Sequence, residues 1–492
     1  PRLYINQMVF YLGVDQGTTN TKVVLFNGKK IITKSIKKIP IIFTKEGWVE
    51  QDPDLMIKNI IYCIKNVIKN SKIQIKKIES IGIANQTETL VIWDKKSEKS
   101  IMPAISWQCQ RSSELIEKYK INFNLNEINK KTGLNLDATF TATKIFWIKK
   151  KYPEIYNKII NNKYLIGTID TWIIWKLTGG KVYSTDASNA SRTLLCNTKN
   201  IFWDKSLIEQ FQLKKLILPE IKKNNDSFGE TDKKYFGTRI KIKASIGDQP
   251  ASLYGNGCLK KGDLKITLGT GGFLWLNKGN QFVPKSNTGC LETLAWSLKK
   301  TTFASEGFIF MAGALLDYFI ENLNFAKDFN NFEKMASKVK KNNIFIIPSI
   351  LGLGTPWWNL NSNGTIYGLN SNTTHEDICL SAFETVGFQV KAALDALKNH
   401  SNINIKKIKI DGKLSSNKLI RRIISGLICR DLNFSANTDI TALGAALLAS
   451  NNSRFFQRDE IKYLFKKDKQ QDYLINKYNK WKKLTNKIIN FK

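Results

Sequence analysis

Hydrophobic residues run through this chain in two rhythms. Short runs rich in Val, Ile and Leu stop at glycine turns, and longer stretches repeat apolar residues every three or four positions. The first rhythm predicts strands and the second predicts amphipathic helices. Near the start, 9–14, 21–26 and 30–42 read as a three-strand meander. A helix is expected over 54–69, where Leu55, Ile57, Ile60, Ile61, Cys63, Ile64, Val67 and Ile68 can cover a sheet. Strands are expected again at 78–84 and 90–93, and at 240–246 with period-two alternation. A second strand–turn–strand block opens near Cys258. Helix 376–399 is amphipathic, with Ile378, Leu380, Phe383, Val386, Val390, Leu394 and Leu397 as its apolar positions. The stretch 442–449 has the small residues of a tightly packed helix, and the basic tail from Gln457 predicts a pair of surface helices. Strands alternating with helices indicate an α/β protein. A boundary near residue 256 gives an N-terminal domain over 8–256, a C-terminal domain over 257–455 and a basic helical tail over 456–492.

Two turns share one design. Gly13-Val14-Asp15-Gln16-Gly17-Thr18-Thr19-Asn20-Thr21-Lys22 and Thr267-Leu268-Gly269-Thr270-Gly271-Gly272-Phe273 each follow an apolar run and lead into another. A strand, a glycine turn bearing hydroxyls and a returning strand can present backbone N–H groups to phosphate. Its repetition half a chain apart points to two domains of one design facing a shared cleft.

Composition narrows the class. With 492 residues, 42% hydrophobic, the chain can bury large cores. No apolar run approaches the roughly 18 residues of a membrane span, and residues 1–7 lack a basic-then-apolar signal pattern. The expectation is a soluble cytoplasmic protein without a membrane partner. Seven scattered cysteines without CxxC spacing read as reduced, buried thiols. With only His375 and His400 available, a histidine zinc cluster or a histidine relay is hard to build, so a general base is expected to be a carboxylate. The formal charge of +35 invites a nucleic-acid reading. It rests on 67 Lys against nine Arg, with the lysines spread along the whole chain, whereas base-reading surfaces favour Arg. They read as solvated surface whose field attracts anionic substrates such as nucleotides; no specific nucleic-acid partner is expected. A homodimer or homotetramer is compatible with the chain.

The first turn looks like the opening phosphate loop of the FGGY carbohydrate kinases, in their glycerol kinase branch, and further stations follow in that family's order. They are Gly47-Trp48-Val49-Glu50-Gln51-Asp52-Pro53, Asn85-Gln86-Thr87-Glu88-Thr89, Trp107-Gln108-Cys109-Gln110-Arg111, Asp170-Thr171-Trp172 with Leu177-Thr178-Gly179-Gly180, and Thr185-Asp186-Ala187-Ser188-Asn189-Ala190-Ser191-Arg192-Thr193. The second half adds Gly247-Asp248-Gln249, Glu306-Gly307-Phe308, Met311-Ala312-Gly313-Ala314, Leu351-Gly352-Leu353-Gly354-Thr355-Pro356-Trp357-Trp358 and Thr441-Ala442-Leu443-Gly444-Ala445-Ala446. The resemblance runs from about residue 9 to 450. It implies two ribonuclease-H-like (actin-like) domains flanking a hinged cleft, and ATP-dependent phosphorylation of a primary hydroxyl of glycerol or a similar small polyol.

The resemblance also implies roles. Asp248 is the general base and touches substrate with Gln249; Thr87, Glu88, Trp107, Thr139 and Phe273 complete the polyol site. Gly17, Thr18, Thr19, Asn20 and Lys22 meet phosphate from one side and Thr270 from the other; Gly313, Asp317, Lys413 and Asn417 take nucleotide positions. Asp15 helps hold Mg²⁺ through water. Several positions depart from the family pattern. Lys22 stands for Arg, Thr87 for Arg, Thr139 for Tyr, Asp317 for Gln, and Asp411-Gly412-Lys413 for Asp-Gly-Gly. A positive φ at Lys413 would cost about 1 kcal/mol or more. The two small hydroxyls at 87 and 139 open room for a tetritol or ketose, erythritol-like or xylulose-like. The same departures motivate a non-catalytic nucleotide- or polyol-binding regulatory relative as the reading from another class.

Overall fold

The computed structural model of this chain describes residues 9–435, 438–452, 460–465, 467 and 469–490. The stretch 1–7 lies outside them. Among the described residues no helix is long and apolar enough to cross a membrane.

The first glycine turn folds Phe10–Gln16 and Asn20–Phe26 into an antiparallel hairpin that sets Asp15 opposite Lys22. Ile31–Lys38 adds antiparallel on one side, and Ile78–Asn85 and then Lys241–Gly247 add parallel on the other. The third strand of the meander stops at Lys38 rather than running to 42. There the Ile39 N–H turns back to the Thr19 carbonyl at 2.8 Å, and Pro40 has no N–H to continue a ladder. Helix Pro53–Ser71 starts where the Asp52 carboxylate accepts from the N–H groups of Asp54 and Leu55. Met56, Ile60, Cys63, Ile64 and Val67 bury its inner face. The 90–93 run becomes Val91–Asp94, paired with Tyr164–Gly167 outside the main sheet.

Among the described residues the second sheet has seven strands, and it repeats this plan at its centre. Asp263–Leu268 and Gly272–Gly279 form the antiparallel hairpin, Thr301–Ile309 extends it antiparallel, and Lys407–Asp411 and Leu432–Ser435 run parallel on the other side. Both sheets therefore have the ribonuclease-H-like order, and each brings a glycine turn and the carboxyl ends of its parallel strands to one edge. Helix His375–Ser401, opened by a Thr374–Asp377 capping box, covers the second sheet.

Helix Ile440–Ser450 ties the halves together. It leaves the second half of the chain and packs on the first sheet beside helix Asp248–Gly255. Its small residues are required by the approach: a Cβ on Gly82 would sit 2.0 Å from the Ala445 carbonyl oxygen, and one on Gly444 would sit 2.0 Å from that of Ala251.

The tail is not a surface helix pair. Among the described residues it forms the edge strand Glu460–Tyr463, antiparallel to Leu432–Ser435, and one helix, Lys469–Ile488; 453–459 lie outside them. The aromatics at helical spacing are core anchors. Trp481 is fully buried and donates its indole N–H to the Ile346 carbonyl at 2.7 Å, with Leu474 and Tyr478 buried beside it.

Candidate active site

The first turn is held from below. Gly17 N–H bonds the Asn20 carbonyl at 3.0 Å. Gln16 accepts from the Thr21 hydroxyl at 2.6 Å and donates to the Gly17 carbonyl at 3.1 Å. The Thr18 hydroxyl donates to Gln86 and accepts from the Trp107 indole N–H, each at 3.0 Å, while Gln51 donates to the Thr18 carbonyl at 2.6 Å. Thr18 thus braces the turn through its hydroxyl, and Trp107 joins it to Thr89, whose hydroxyl accepts from the Trp107 backbone N–H at 3.1 Å. Thr19 is exposed at the tip, its hydroxyl accepting from Asn20 at 3.0 Å. The Lys22 amine pairs with Asp439 at 2.9 Å, and Lys34 joins the same carboxylate at 2.8 Å. Lys22 therefore links the first sheet to the entry of helix Ile440–Ser450.

Asp248 heads helix Asp248–Gly255 directly after strand Lys241–Gly247. The strand end is fixed by a buried polar network: Gly247 N–H donates to the Ser188 hydroxyl at 2.9 Å, and Asp186 accepts from Ser188, from Ser245 at 2.8 Å and from Asn224 at 2.9 Å. The Asp248 side chain opens partly to solvent and accepts from the Gln249 N–H at 2.7 Å. Its carboxyl is pushed up to about 7, first by desolvation, then by the charges of Asp15 and Glu88, against a lowering by Lys265. Asp15 is pushed up to about 6 by burial, with Lys22 opposing and Asp439 adding. Gln249 accepts from the fully buried Lys265 amine at 2.7 Å.

Glu88 sits in the left-handed region at φ 65°, a conformation a non-glycine residue keeps only when its surroundings enforce it. The enforcement is visible. Thr87 donates its hydroxyl to one Glu88 oxygen, Arg192 donates to the other at 2.6 Å, and Thr141 donates to the Glu88 carbonyl at 3.2 Å. The far nitrogen of Arg192 donates to Glu306 at 2.7 Å. Thr139 arrives on a loop whose carbonyls at Ala138 and Thr139 accept from the buried Lys144 amine. The Arg192 guanidinium lies 5.4 Å from the Phe140 ring of that loop. The Thr87 methyl lies 2.7 Å from where a Cβ of Gly247, the residue before Asp248, would stand.

On the facing lobe, Gly269 N–H bonds the Gly271 carbonyl at 2.9 Å. Helix Gly313–Asp317 starts on this turn: Gly313 N–H donates to the Gly269 carbonyl at 2.9 Å, and Ala312 and Ala314 both donate to the Thr270 carbonyl at 3.0 Å. The Thr270 side chain is exposed. Phe273 packs on Phe308 with centroids 4.7 Å apart. Asp317 is exposed at the end of its helix, and the Asn417 side chain caps helix Lys418–Ile428 by accepting from Ile420 N–H at 2.9 Å. The condition for strain at Lys413, a positive φ, is not met. The positive φ of 91° falls on Gly412, where a Cβ would meet the Leu268 carbonyl oxygen at 2.4 Å, and Lys413 is an exposed residue opening the short turn Lys413–Ser416.

Each turn carries one glycine with room above it. A Cβ on Gly17 would meet nothing in the protein closer than 3.5 Å, and on Gly269 nothing closer than 4.0 Å. Protein packing does not demand glycine at either position.

Residues 10–255 match the FGGY family of carbohydrate kinases, N-terminal domain, and residues 264–452 match its C-terminal domain. The chain belongs to the FGGY family of carbohydrate kinases. It is 36% identical to the glycerol kinase of Thermoanaerobacter sp. (strain X514), over 98% of each chain, and 36% identical to that of Halothermothrix orenii, over 98% of this chain and 99% of that one. Among solved structures it is similar to Plasmodium falciparum glycerol kinase with ADP, at a TM-score of 0.89 and 30% identity over 97% of this chain and 98% of that one. A Lactobacillus acidophilus xylulose kinase shares the fold at 21% identity, with a TM-score of 0.87 over 98% and 99%.

In this FGGY kinase Asp15, Glu88 and Asp248 lie close enough to act on one another's charge, with Thr87 bonded to Glu88 and Gln249 next to Asp248, and Trp107 is set against the first turn. The geometry turns Lys22 and Asn417 to structural contacts and leaves Asp317 and Lys413 on the surface. It also adds residues to which sequence reasoning gave no role. Arg192 and Glu306 form a buried Glu–Arg–Glu bridge between the lobes, with the Trp275 indole N–H donating to Glu306 at 3.1 Å. A signal was present: in a chain of 67 Lys and nine Arg, an Arg inside a motif marks a place where lysine would not serve. Lys144 and Lys265 gave no such signal among so many lysines.

Proposed function

We propose that this chain transfers the γ-phosphoryl group of ATP to a primary hydroxyl of glycerol, giving glycerol phosphate and ADP. The carrying observation is Asp248, a carboxylate at the junction of the lobes whose carboxyl is pushed up to about 7 beside Asp15 and Glu88. A base with that affinity is matched to taking a hydroxyl proton near neutral pH. The substrate oxygen bonds to the γ-phosphorus as the bond to the bridging oxygen of ADP breaks, and its proton passes to Asp248. Glu88, held by Arg192 and Thr87, accepts from a second substrate hydroxyl; the Gln249 amide donates to another. Trp107 and Phe273 supply apolar walls. The relatives named glycerol kinase support the choice of acceptor, and the likeness to a kinase holding ADP supports the nucleotide.

The open space over Gly17 and Gly269 suits phosphate oxygens met by backbone N–H groups at both turns. Mg²⁺ fits Asp15, whose carboxyl faces the charge of Asp248. Among the described residues no group of three or more His, Cys, Asp or Glu could hold a metal, so the ion would be completed by water and phosphate oxygens. When bound it supplies charge compensation to the transferring phosphoryl group.

The test is ADP formation from ATP across a panel of three- to six-carbon polyols and ketoses. Glycerol is expected to give the highest kcat/KM. The short side chains of Thr87 and Thr139 favour a tetritol or ketose as the second reading, and a higher kcat/KM for erythritol or xylulose would select it. No acceptor-dependent ADP formation would reject both.

A further inference from the structure

We propose that Lys265 is a positioning residue that fixes the Gln249 amide in one orientation beside Asp248. The inference rests on the kinase reading, in which that amide meets the acceptor. An ammonium only donates, so the Gln249 atom 2.7 Å from Lys265 is its oxygen. That settles the side of the amide by chemistry, and it leaves the amide nitrogen, a pure donor, as the group turned away from Lys265 and available to a substrate oxygen. Without the ammonium, the amide could rotate and present an acceptor instead.

Lys265 is fully buried in the centre of strand Asp263–Leu268, whose end carries the second phosphate turn. Gln249 lies on the helix headed by Asp248. The bond thus joins the lobe bearing Thr270 to the helix bearing the base. Burial pulls the Lys265 amine down, and the charges of Asp411, Asp248 and Glu306 hold it up. Asp411 is tied to the same helix, accepting from Ser252 at 2.8 Å and Asn256 at 2.6 Å, while its other buried oxygen has no hydrogen-bond partner among the described residues. The ammonium therefore sits amid carboxylates as the cation that offsets them, one of which is the base.

The experiment compares unaltered enzyme with Lys265→Gln and Lys265→Met, each also in a Gln249→Ala background. Lys265→Met should raise the acceptor KM about ten- to hundredfold, the worth of a hydrogen bond to a charged group, with the KM for ATP changed far less. The acid limb of the kcat–pH profile should move to higher pH, because a cation that favours the ionised base is gone. Lys265→Gln, which can still donate to the Gln249 oxygen, should recover the acceptor KM but not the pH limb. In the Gln249→Ala background, Lys265→Met should leave the acceptor KM unchanged. Were Lys265→Met too unstable to assay, Gln249→Ala carries the test: it should raise the acceptor KM about ten- to hundredfold with the KM for ATP changed far less, and an unchanged acceptor KM overturns the inference. An active enzyme in which Lys265→Met or Lys265→Gln keeps the acid limb, or in which Lys265→Met raises acceptor KM equally with and without Gln249, overturns the inference. Unaltered enzyme without acceptor-dependent ADP formation overturns the kinase reading itself.

Discussion

Replacing Asp248 with Asn should cost activity and raise stability. The carboxyl rises from 3.8 to about 7 in the folded protein, mainly because burial disfavours its charge. Three units at about 1.4 kcal/mol each set an upper bound of about 4 kcal/mol on the penalty of holding it ionised; its partial opening to solvent lowers this to about 2–4 kcal/mol. The sign follows from proton linkage. The folded state holds the proton between 3.8 and about 7 while the unfolded chain releases it, so stability is full below 3.8 and is lost as pH rises through 7. Asparagine has the same shape without the charge. The variant should therefore melt about 5–15 °C above the unaltered protein at pH 8, taking roughly 2–4 °C per kcal/mol for a domain of this size. The gain should shrink steadily toward pH 4. Turnover should fall about 10²- to 10⁴-fold, the usual contribution of a general base. The assay is paired: melting of both proteins from pH 4 to 8, and steady-state ADP formation at pH 8. A variant that melts no higher at pH 8, or shows the same offset at every pH, would refute the reasoning.

Three further outcomes are expected. Arg192→Met leaves the Glu88 and Glu306 carboxylates facing each other in a buried site; it should destabilise by about 3–5 kcal/mol in denaturant unfolding and raise the acceptor KM, and adding Glu306→Gln should recover part of the stability. Gly82→Ala places a methyl 2.0 Å from the Ala445 carbonyl oxygen, so it should cost about 3 kcal/mol or more, read as lost soluble yield or a lower melting temperature. Trp481→Ala should destabilise by about 3–5 kcal/mol through the cavity left in the second lobe, while acceptor KM at 20 °C stays within twofold.

The fold was largely legible because its punctuation is local. Glycine turns and β-branched runs gave both hairpins, and the small residues at 442–449 announced a close contact, since only residues without bulk allow backbones to touch. What could not be read was the partner of that contact, the first sheet, whose strands Phe10–Gln16, Ile78–Asn85 and Lys241–Gly247 lie far upstream along the chain. The tail misled because a basic helix with aromatics every few positions looks the same whether the aromatics face solvent or a core; only the lobe beneath Trp481 decides. Within the site, the candidate residues in turns and at strand ends came from the resemblance to the kinase family, and the fold sets Asp15 and Glu88 near Asp248. Lys265 was not legible, because in Leu264-Lys265-Ile266 the alternation reads as a strand with lysine facing water, whereas the helix of the other lobe covers that face. The bracing of the first turn by the Thr18 hydroxyl against Gln86 and Trp107 was not legible, because both partners are distant in sequence.

The central claim is that Asp248 takes the proton of an alcohol as the phosphoryl group of ATP moves to it. The most direct measurement is the pH dependence of kcat for glycerol-dependent ADP formation, run on the unaltered enzyme and on Asp248→Asn. The account predicts an acid limb with a midpoint near 7 in the unaltered enzyme. In the variant it predicts residual turnover at least a hundredfold lower, with that limb absent. Undiminished turnover in the variant, or the same limb with and without the carboxylate, would contradict it.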